Sequence, residues 1–236
     1  MSEILCTICA RGGSKSIPGK NVREVGGKPL VGHAVSDARS WNRSADIVVS
    51  TDDDEIALVA ERYGAQVPFR RPAELASDTA AKLPAIQHAV KQMEDTRKWQ
   101  YDYVVDVDAT TPLRQSSDIE DCFTTVQEDE QATNAYTVCE ADKNPYFNMV
   151  ELDDDGYASL SKEVGPDVVR RQDAPMVYEM NAAVYVYDRD FLMETDTLHG
   201  EYTRISVMPP ERSVDIDTKL DLEFVEFMFE RRESEV

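Results

Sequence analysis

The apolar residues of the chain follow two patterns that alternate along its length. Continuous apolar runs are typical of buried strands, and apolar residues that recur about every 3.6 positions are typical of helices. Their alternation predicts an α/β fold, a mainly parallel, doubly wound sheet with helices on both faces. The predicted strands are residues 4–10, 47–50, 103–105, 135–138 and 183–187. The predicted helices are 29–40, a helix capped by Asp52 or Asp53, 83–93, 118–128 and a last helix that opens at Thr218.

Residues 141–173 interrupt this alternation. They contain Asp153-Asp154-Asp155-Gly156, a turn sequence between short runs, as in a β-hairpin. We expect a small β-rich excursion from the main sheet that forms a dimer contact. The chain has no internal repeat or low-complexity tract, so residues 1–236 are expected to form one domain that contains this insertion.

The charge of the chain excludes several classes of partner. Aspartate and glutamate number 46 against 25 lysines and arginines, which gives a formal net charge of −21. Such a surface repels nucleic acids and anionic membranes, so neither is expected as a partner. No apolar stretch approaches the ~18 residues of a membrane span, and the N-terminus lacks a signal-peptide pattern. We therefore expect a cytoplasmic protein.

The basic residues are 16 arginines and only 9 lysines. An acidic, lysine-poor surface suits an organism with high internal salt, where ions screen the self-repulsion of the protein. We hypothesise a halophilic source on this ground. Unfolding in low salt and in molar KCl tests the hypothesis, and greater stability in low salt would refute it.

Two of the four cysteines form a C-x-x-C pattern, Cys6 to Cys9, which is found in redox and metal sites. Positions three apart on a strand point to opposite faces, so the two thiols should diverge. The chain has no second cysteine or histidine pair at zinc spacing. We expect two small strand residues and no metal.

A glycine-rich loop with clustered positive charge follows the first predicted strand. Five cations fall between residues 11 and 28, where only Glu24 opposes them. Glycines let the backbone approach a phosphate, and lysine and arginine neutralise its charge. Ligands of open α/β sheets bind at strand carboxyl ends, so the loop predicts a phosphate site. Its spacing is neither the Walker nor the dinucleotide pattern, and an ordinary surface loop is the alternative. The cations are Arg11, Lys15, Lys20, Arg23 and Lys28.

Asp215 and Asp217 form a second candidate group near the end of the chain. If the segment is extended, both carboxylates project from one face. Close carboxylates repel unless a cation lies between them, and oxygen ligands beside a triphosphate suit Mg²⁺. The alternative is that Asp217 simply caps the last helix.

Short blocks of sequence, in order over nearly the whole chain, resemble one known family. The block Ala10-Arg11-Gly12-Gly13-Ser14-Lys15, with Pro18, Lys20 and Asn21, resembles the signature of the acylneuraminate cytidylyltransferases, or CMP-sialic acid synthetases. No single block is decisive, but the ordered set is specific. The other blocks are 27–30, 50–53, 71–76 with Asp78-Thr79, 110–114, 170–173, Asn181 and 212–218.

The resemblance implies a Rossmann-like, GT-A-like nucleotidyltransferase that is usually a homodimer. Its sugar hydroxyl would attack the α-phosphate of CTP, with Mg²⁺ as the cofactor, to give a CMP-sugar and pyrophosphate. The sugar would be an acidic nine-carbon compound of the sialic type. The excursion 141–173 would reach toward the neighbouring subunit and its active site.

The same resemblance, together with departures from it at Lys82 and Asp108, suggests roles for individual residues, which fall into four overlapping groups. The catalytic residues would be Arg11, Lys20 and Asp108. CTP would contact Ala10, Arg11, Gly12, Gly13, Ser14, Lys20, Asn21, Arg71 and Lys82. The sugar would contact Asp108, Thr110, Arg170, Arg171, Gln172, Tyr178 and Asn181. The metal would be held by Asp108, Asp215 and Asp217.

Three positions depart from the family pattern. Asp108 stands where glutamine is usual, Lys82 where small hydroxyl residues are usual, and Ala182 where glycine often follows the asparagine. They resemble the branch that activates legionaminic acid and related sugars. Asp108 could be a third metal ligand, a base or a sugar contact, or only a turn residue; Asp106 is left without a role. The sugar carboxylate needs a donor, which could be Arg170, Arg171, Gln172 or Lys82.

The sequence disfavours two other functions. A CMP-Kdo synthetase is disfavoured because Ala109-Thr110-Thr111-Pro112 replaces the expected Gly-Asp-Glu-Pro. A non-catalytic nucleotide- or nucleotide-sugar-binding protein is disfavoured because Arg11, Lys20, Asp215 and Asp217 are all present. His33, His88 and His199 have no motif around them, and phosphoryl transfer needs no covalent intermediate.

Overall fold

The computed structural model describes residues 2–234 apart from 42, 44 and 164–169. Strands and helices alternate over the first half of the chain, and strands dominate between residues 134 and 207. The strands are β1 (Ile4–Cys9), β2 (Glu24–Val25), β3 (Lys28–Pro29), β4 (Ala45–Ser50), β5 (Tyr103–Val107), β6 (Asn134–Glu140), β7 (Val150–Leu152), β8 (Ala158–Leu160), β9 (Tyr178–Asp188) and β10 (Thr203–Val207). The α-helices are α1 (Leu30–Ser40), α2 (Asp54–Tyr63), α3 (Lys82–Arg97), α4 (Ser116–Gln127), α5 (Arg189–Glu194) and α6 (Lys219–Ser234).

A six-stranded sheet forms the centre of the molecule, with the strand order β10-β6-β9-β5-β1-β4. β1 runs parallel to β4 and to β5, and β10 runs parallel to β6. β9 is antiparallel to both of its neighbours, β5 and β6. The predicted α/β fold with a mostly parallel sheet is confirmed. The antiparallel strand follows the excursion directly, without the crossover helix that a parallel entry would need.

Helices cover both faces of the sheet, as the doubly wound pattern requires. α1 and α4 contribute Val31 and Phe123 to the core on one face, and α3 contributes Ile86 to the core on the other. Cys6 belongs to the first core and Cys9 packs against the second, so the two thiols diverge as predicted. Burial raises the pKa of the Cys9 thiol to about 12, which keeps it protonated and unreactive.

Local sequence explains where the helices near the site begin and end. The side chain of Asp53 accepts hydrogen bonds from the N–H groups of Glu55 and Ile56 and so caps α2. Gly64 ends the same helix with a φ of 98°. In α6, Thr218 and Asp221 cap the helix reciprocally through their side chains and N–H groups. Asp217 is therefore not needed as the helix cap.

A third apolar cluster joins the glycine-rich loop to the segment before α6. Ile17 and Leu30 pack there with Ile216 and Val225, all of which are buried. Gly26, at a φ of 53°, turns the short hairpin β2–β3 under α6, and a Cβ there would lie 2.4 Å from the Phe229 ring. This packing holds two distant parts of the sequence side by side.

The excursion contains the hairpin predicted around residues 153–156. β7 and β8 pair antiparallel, and the Asp153 carboxylate accepts hydrogen bonds from the N–H groups of Asp155 and Tyr157 in the turn. Leu152 and Tyr157 are exposed to 70% and 75%. Residues 164–169 of the predicted excursion lie outside the described residues. The single-domain boundary and the dimer contact stay predictions.

The pattern of apolar residues does not predict four short elements, namely β2, β3, α5 and β10. They are only two to six residues long, so each offers too few positions for a period to show. Among the described residues, no helix is both long enough and apolar enough to cross a membrane.

Candidate active site

The glycine-rich loop is fixed by its own backbone at the carboxyl end of β1. The N–H of Ala10 donates to the Ser50 carbonyl, and the Asn21 amide donates to the Arg11 carbonyl at 2.9 Å. The N–H of Gly12 donates to Asp52 at 3.0 Å. A Cβ on Gly12 would lie 2.6 Å from the Asp53 carboxylate, so only glycine fits this position. β1, β4 and β5 are parallel neighbours, so their following loops meet at this edge of the sheet.

Two adjoining cavities open at this edge. The first, which we name the loop cavity, has a volume of about 380 Å³, and the second, the strand cavity, about 200 Å³. Arg11, Lys20 and Asn21 line both of them. The loop cavity is also lined by Gly13, Ser14, Lys15, Ser16, Asp78 and Asp217. The strand cavity is also lined by Cys9, Arg71, Leu75, Ser77, Ala80, Ala81, Lys82, Ala85, Asp108 and Thr110.

The cations of the loop cavity are held by carboxylates and carbonyls. Arg11 and Lys15 both pair with Asp78, at 2.8 Å and 2.5 Å. The hydrogen bonds from Lys15 and then Arg11 lower the pKa of Asp78. Lys20 donates to the carbonyl of Ile216 at 2.8 Å and lies 3.3 Å from Asp217. A bound triphosphate could replace Asp78 as the partner of the first two cations.

Arg71 differs from the solvated surface arginine that its sequence position alone would suggest. Its side chain is buried, and its guanidinium donates to the hydroxyl and the carbonyl of Ser50 at the end of β4. Its own N–H donates to the Thr51 carbonyl at 2.9 Å. Arg71 therefore presents a positioned guanidinium to the strand cavity.

Asp215 and Asp217 fit a divalent cation. One carboxylate oxygen of Asp215, Oδ1, is buried and has no hydrogen-bond partner among the described residues. Burial, followed by the charges of Asp108 and Asp217, raises the pKa of Asp215 to about 6, while Thr110 and Lys20 oppose the rise. An unpartnered anionic oxygen beside a second carboxylate is the donor set that Mg²⁺ takes together with phosphates and water.

Asp108, predicted as a third metal ligand beside these two carboxylates, is bonded to other groups in the structure. One of its oxygens accepts from the Thr110 N–H and hydroxyl at 3.0 and 2.9 Å, and the other accepts from Lys82 at 2.7 Å. Burial would raise the pKa of Asp108, but Lys82 and Thr110 lower it to about 2. A carboxylate of this kind is a weak base at neutral pH. In the part of the chain that is described, no group of three or more potential ligands is arranged to hold a metal.

Asp106, which the sequence left without a role, lies beneath Asp108 on β5 and is fully buried. The Thr7 hydroxyl donates to one of its oxygens at 2.7 Å. Lys82 lies 2.7 Å from the other oxygen, as an ion pair whose angles do not meet those of a hydrogen bond. Lys82 thus pairs with two carboxylates at once.

Among the described side chains that are predicted to bind the sugar, Asp108 and Thr110 line the strand cavity and the others line neither cavity. Gln172 lines a separate cavity of about 350 Å³ between residues 140 and 177. Arg170 pairs with Asp173, and Tyr178 is exposed at the start of β9. The side chain of Arg171 lies outside the described residues. Within one chain, the described side chains of Arg170, Gln172 and Tyr178 therefore do not line the loop cavity.

Asn181 has a supporting place in the fold. It is buried, accepts a hydrogen bond from the Thr137 hydroxyl at 2.7 Å and donates to the Ser213 hydroxyl at 2.9 Å. The next residue, Ala182, has a φ of 55°, in the left-handed region that favours glycine. Asn181 positions the segment that leads to Asp215, so its predicted contact with the sugar is opposed by its burial.

Comparison with known proteins decides the family. The sequence profile described as "Cytidylyltransferase" matches residues 5–227. The chain belongs to the cytidylyltransferase family. It is therefore a nucleotidyltransferase enzyme.

Two relatives match this cytidylyltransferase over nearly their whole length. The Campylobacter coli protein named post-translational flagellin modification protein B is 40% identical, covering 98% of this chain and 97% of that one. A Campylobacter jejuni protein named CMP-N,N'-diacetyllegionaminic acid synthase is 42% identical, covering 97% and 95%. An Escherichia coli N-acylneuraminate cytidylyltransferase is 28% identical over 94% of this chain but only 51% of its own length.

A solved structure supports the fold of this cytidylyltransferase. The structure of CMP:2-keto-3-deoxy-manno-octonic acid synthetase complexed with CTP superposes with a TM-score of 0.69, covering 98% of this chain and 100% of that one. Its sequence identity is 18%, so the similarity concerns the fold alone.

Proposed function

We propose that this cytidylyltransferase joins CTP and a nonulosonic acid of the legionaminic type to give the CMP-sugar and pyrophosphate. The observation that carries the proposal is the meeting of the glycine-rich loop and the two late carboxylates. Lys20 and Asp217, 197 residues apart in sequence, lie 3.3 Å from each other in the loop cavity. Cations and carboxylates in one cavity suit a metal-bound triphosphate.

The proposed reaction is an attack of the anomeric hydroxyl of the sugar on the α-phosphorus of CTP, with pyrophosphate as the leaving group. Arg11, Lys15 and Lys20 would hold the triphosphate and neutralise the charge that develops on it. Asp215 and Asp217 would hold Mg²⁺, which supplies charge stabilisation at the phosphate oxygens. The strand cavity, with the buried Arg71, would hold the rest of the nucleotide.

The sugar class is proposed from the relatives and from the departures at Lys82, Asp108 and Ala182. An acidic sugar needs a cationic donor for its carboxylate, and residues 170–172 carry the candidates. These residues would reach the site from a second copy of the chain. Exposed apolar side chains on the excursion and on β10, such as Val150, Leu152 and Val207, support a homodimer. Analytical ultracentrifugation would measure the oligomeric state, and a monomer at assay concentration would contradict the proposed homodimer.

Pyrophosphate release with CTP, Mg²⁺ and a panel of acidic sugars tests the proposed reaction. We expect the largest kcat/KM with a diacetyllegionaminic acid, and lower values with an N-acylneuraminic acid and with Kdo. Release with Kdo alone would favour a CMP-Kdo synthetase, and no release with any sugar would favour a binding protein. The reaction consumes CTP, so we also propose a cytoplasmic location.

The variant Asp217→Asn tests the metal site within the same assay. Asp217 is 74% exposed, so the variant should fold normally while its turnover falls by about 100-fold or more. Asp154→Asn, in the exposed hairpin turn, makes the same change away from the site and should keep full turnover. Retained turnover of Asp217→Asn at ordinary Mg²⁺ would remove this residue from the metal site.

A further inference from the structure

Lys82 holds an unusual position for a lysine, between two carboxylates at the end of a central strand. Its ammonium lies 2.7 Å from Asp106 and 2.7 Å from Asp108. It also lies 4.5 Å from the centre of the Tyr185 ring, within the range of a cation–π contact. Burial would lower the pKa of Lys82, but the two carboxylates raise it well above its usual value, so the charge is permanent.

The two carboxylates alone would form a site for a cation. Asp106 lies on β5 and Asp108 follows directly after its end, and both carboxylates face Lys82, so their charges repel. Asp106 is fully buried and the Asp108 side chain is 17% exposed, so water screens them little. Proteins relieve such a pair by protonating one carboxylate or by placing a cation between them. Here the cation comes from the first residue of α3.

Asp106 and Asp108 leave little capacity for another ion. One oxygen of Asp106 accepts from Thr7 and the other faces Lys82. One oxygen of Asp108 accepts twice from Thr110 and the other accepts from Lys82. Asp106 Oδ2 also lacks a hydrogen bond, but the Lys82 ammonium lies 2.7 Å from it, whereas Asp215 Oδ1 has no hydrogen-bond partner among the described residues. Within this group of carboxylates, the free coordination capacity therefore lies at Asp215, beside the exposed Asp217.

We propose that the Lys82 ammonium is a built-in cation that occupies the place of a second divalent ion, so that the enzyme works with a single metal. Lys82 acts as a positioning residue that pairs with Asp106 and Asp108 and holds them out of the metal site. The inference rests on the proposed function only for the choice of CTP as the nucleotide. Lys82 lines the strand cavity, so its charge also lies beside the bound nucleotide.

Counting bound Mn²⁺ tests the proposal without any sugar. Equilibrium dialysis and electron paramagnetic resonance would count Mn²⁺ per chain in the presence of a non-hydrolysable α,β-methylene analogue of CTP. We expect one Mn²⁺ per chain in the wild type and in Asp108→Asn. Asp217→Asn should weaken the binding of this Mn²⁺ at least tenfold. Two Mn²⁺ in the wild type, with one lost in Asp108→Asn, would overturn the proposal.

The variant Lys82→Met sharpens the count, because it removes the ammonium and keeps the length of the side chain. It should bind a second Mn²⁺, while Lys82→Arg, which keeps the charge, should bind one. A count of one for a folded Lys82→Met would overturn the idea that the lysine stands in for an ion. If Lys82→Met does not fold, the comparison of Asp108→Asn with Asp217→Asn still decides. Failure of the sugar panel would leave these counts unaffected, so the two proposals fail separately.

Discussion

Two sets of ion pairs flank the cavities, and they differ in their exposure to water. The loop set consists of Arg11, Lys15 and Asp78, and its side chains are 33%, 83% and 41% exposed. The strand set consists of Lys82, Asp106 and Asp108, with 29%, 0% and 17%. Exposed pairs contribute about 0–1 kcal/mol, whereas removing one partner of a buried pair costs about 3–5 kcal/mol.

The difference separates two tasks within one site. The loop set is weak enough to be exchanged, so a triphosphate can replace Asp78 at little cost. The strand set is strong enough to stay intact through each turnover, so its charges are fixed before the substrate arrives. The site thus contains two kinds of counter-ion. Asp78 can be replaced by the triphosphate of the substrate, whereas Lys82 stays paired with carboxylates of the protein.

The largest expected effect is that of breaking the strand set. Lys82→Met should lower the free energy of unfolding by about 3–5 kcal/mol, because two buried carboxylates lose their shared cation. Urea unfolding followed by circular dichroism measures the change. Lys91→Met, on the exposed face of the same helix, is the matched control and should change stability by less than ~0.5 kcal/mol. Equal losses in the two variants would show that the strand set is not a buried ion pair.

A smaller effect is expected from Asp215, whose titration is influenced by Asp108 of the strand set. Its folded pKa of about 6 exceeds its usual value of 3.8, so between these values the folded state holds the proton that the unfolded state has released. Stability of the metal-free protein should therefore fall as the pH rises through this window and level off above about 6.

Comparison with Asp215→Asn isolates this contribution, because the amide does not titrate. At pH 7 the metal-free variant should be more stable than the wild type by about 1–2 kcal/mol, and the gap should close toward pH 4. In saturating Mg²⁺ and CTP, the wild type should instead be more stable than Asp215→Asn. A gap that does not depend on pH would contradict the raised pKa.

The smallest effect is expected from the loop set. Asp78→Asn should free Arg11 and Lys15 for the triphosphate and lower the KM for CTP about two- to fivefold, with little change in stability. Initial rates in low salt measure it, and the effect should shrink in molar KCl because salt screens exposed charges. Glu74→Gln, an exposed neighbour with the same change of charge, should leave KM unchanged. A rise in KM for Asp78→Asn would mean that Asp78 helps to bind CTP.

The sequence predicted what depends on local patterns. The strand before Ala10, the glycine-rich loop, the Asp53 cap of α2 and the start of the last helix near Thr218 all follow from residues close in sequence. The ordered family blocks also predicted that Lys20 and Asp217 would share a site. The residue types alone pointed to this site because five cations cluster in an otherwise acidic chain.

The partners of individual site residues could not be predicted in the same way. No local pattern reveals that Asp108 pairs with Lys82, which lies 26 residues earlier on a separate helix. Nor does one reveal that Asn181 bonds Thr137 and Ser213, which are 44 and 32 residues away. The roles of Asp108 at the metal and of Asn181 at the sugar stay predictions. Charge pairing could have suggested a role for Asp106, since a buried carboxylate needs a cation.

The contact between Lys20 and the carbonyl of Ile216 spans 196 positions of the chain. Every strand of the central sheet ends by Val207, so the sheet is fully encoded before this carbonyl is reached. During synthesis, the whole sheet is therefore made before the segment that completes the active-site cleft. The enzyme can become active only when this last segment has been added, and fragments that end near residue 210 should not consume CTP.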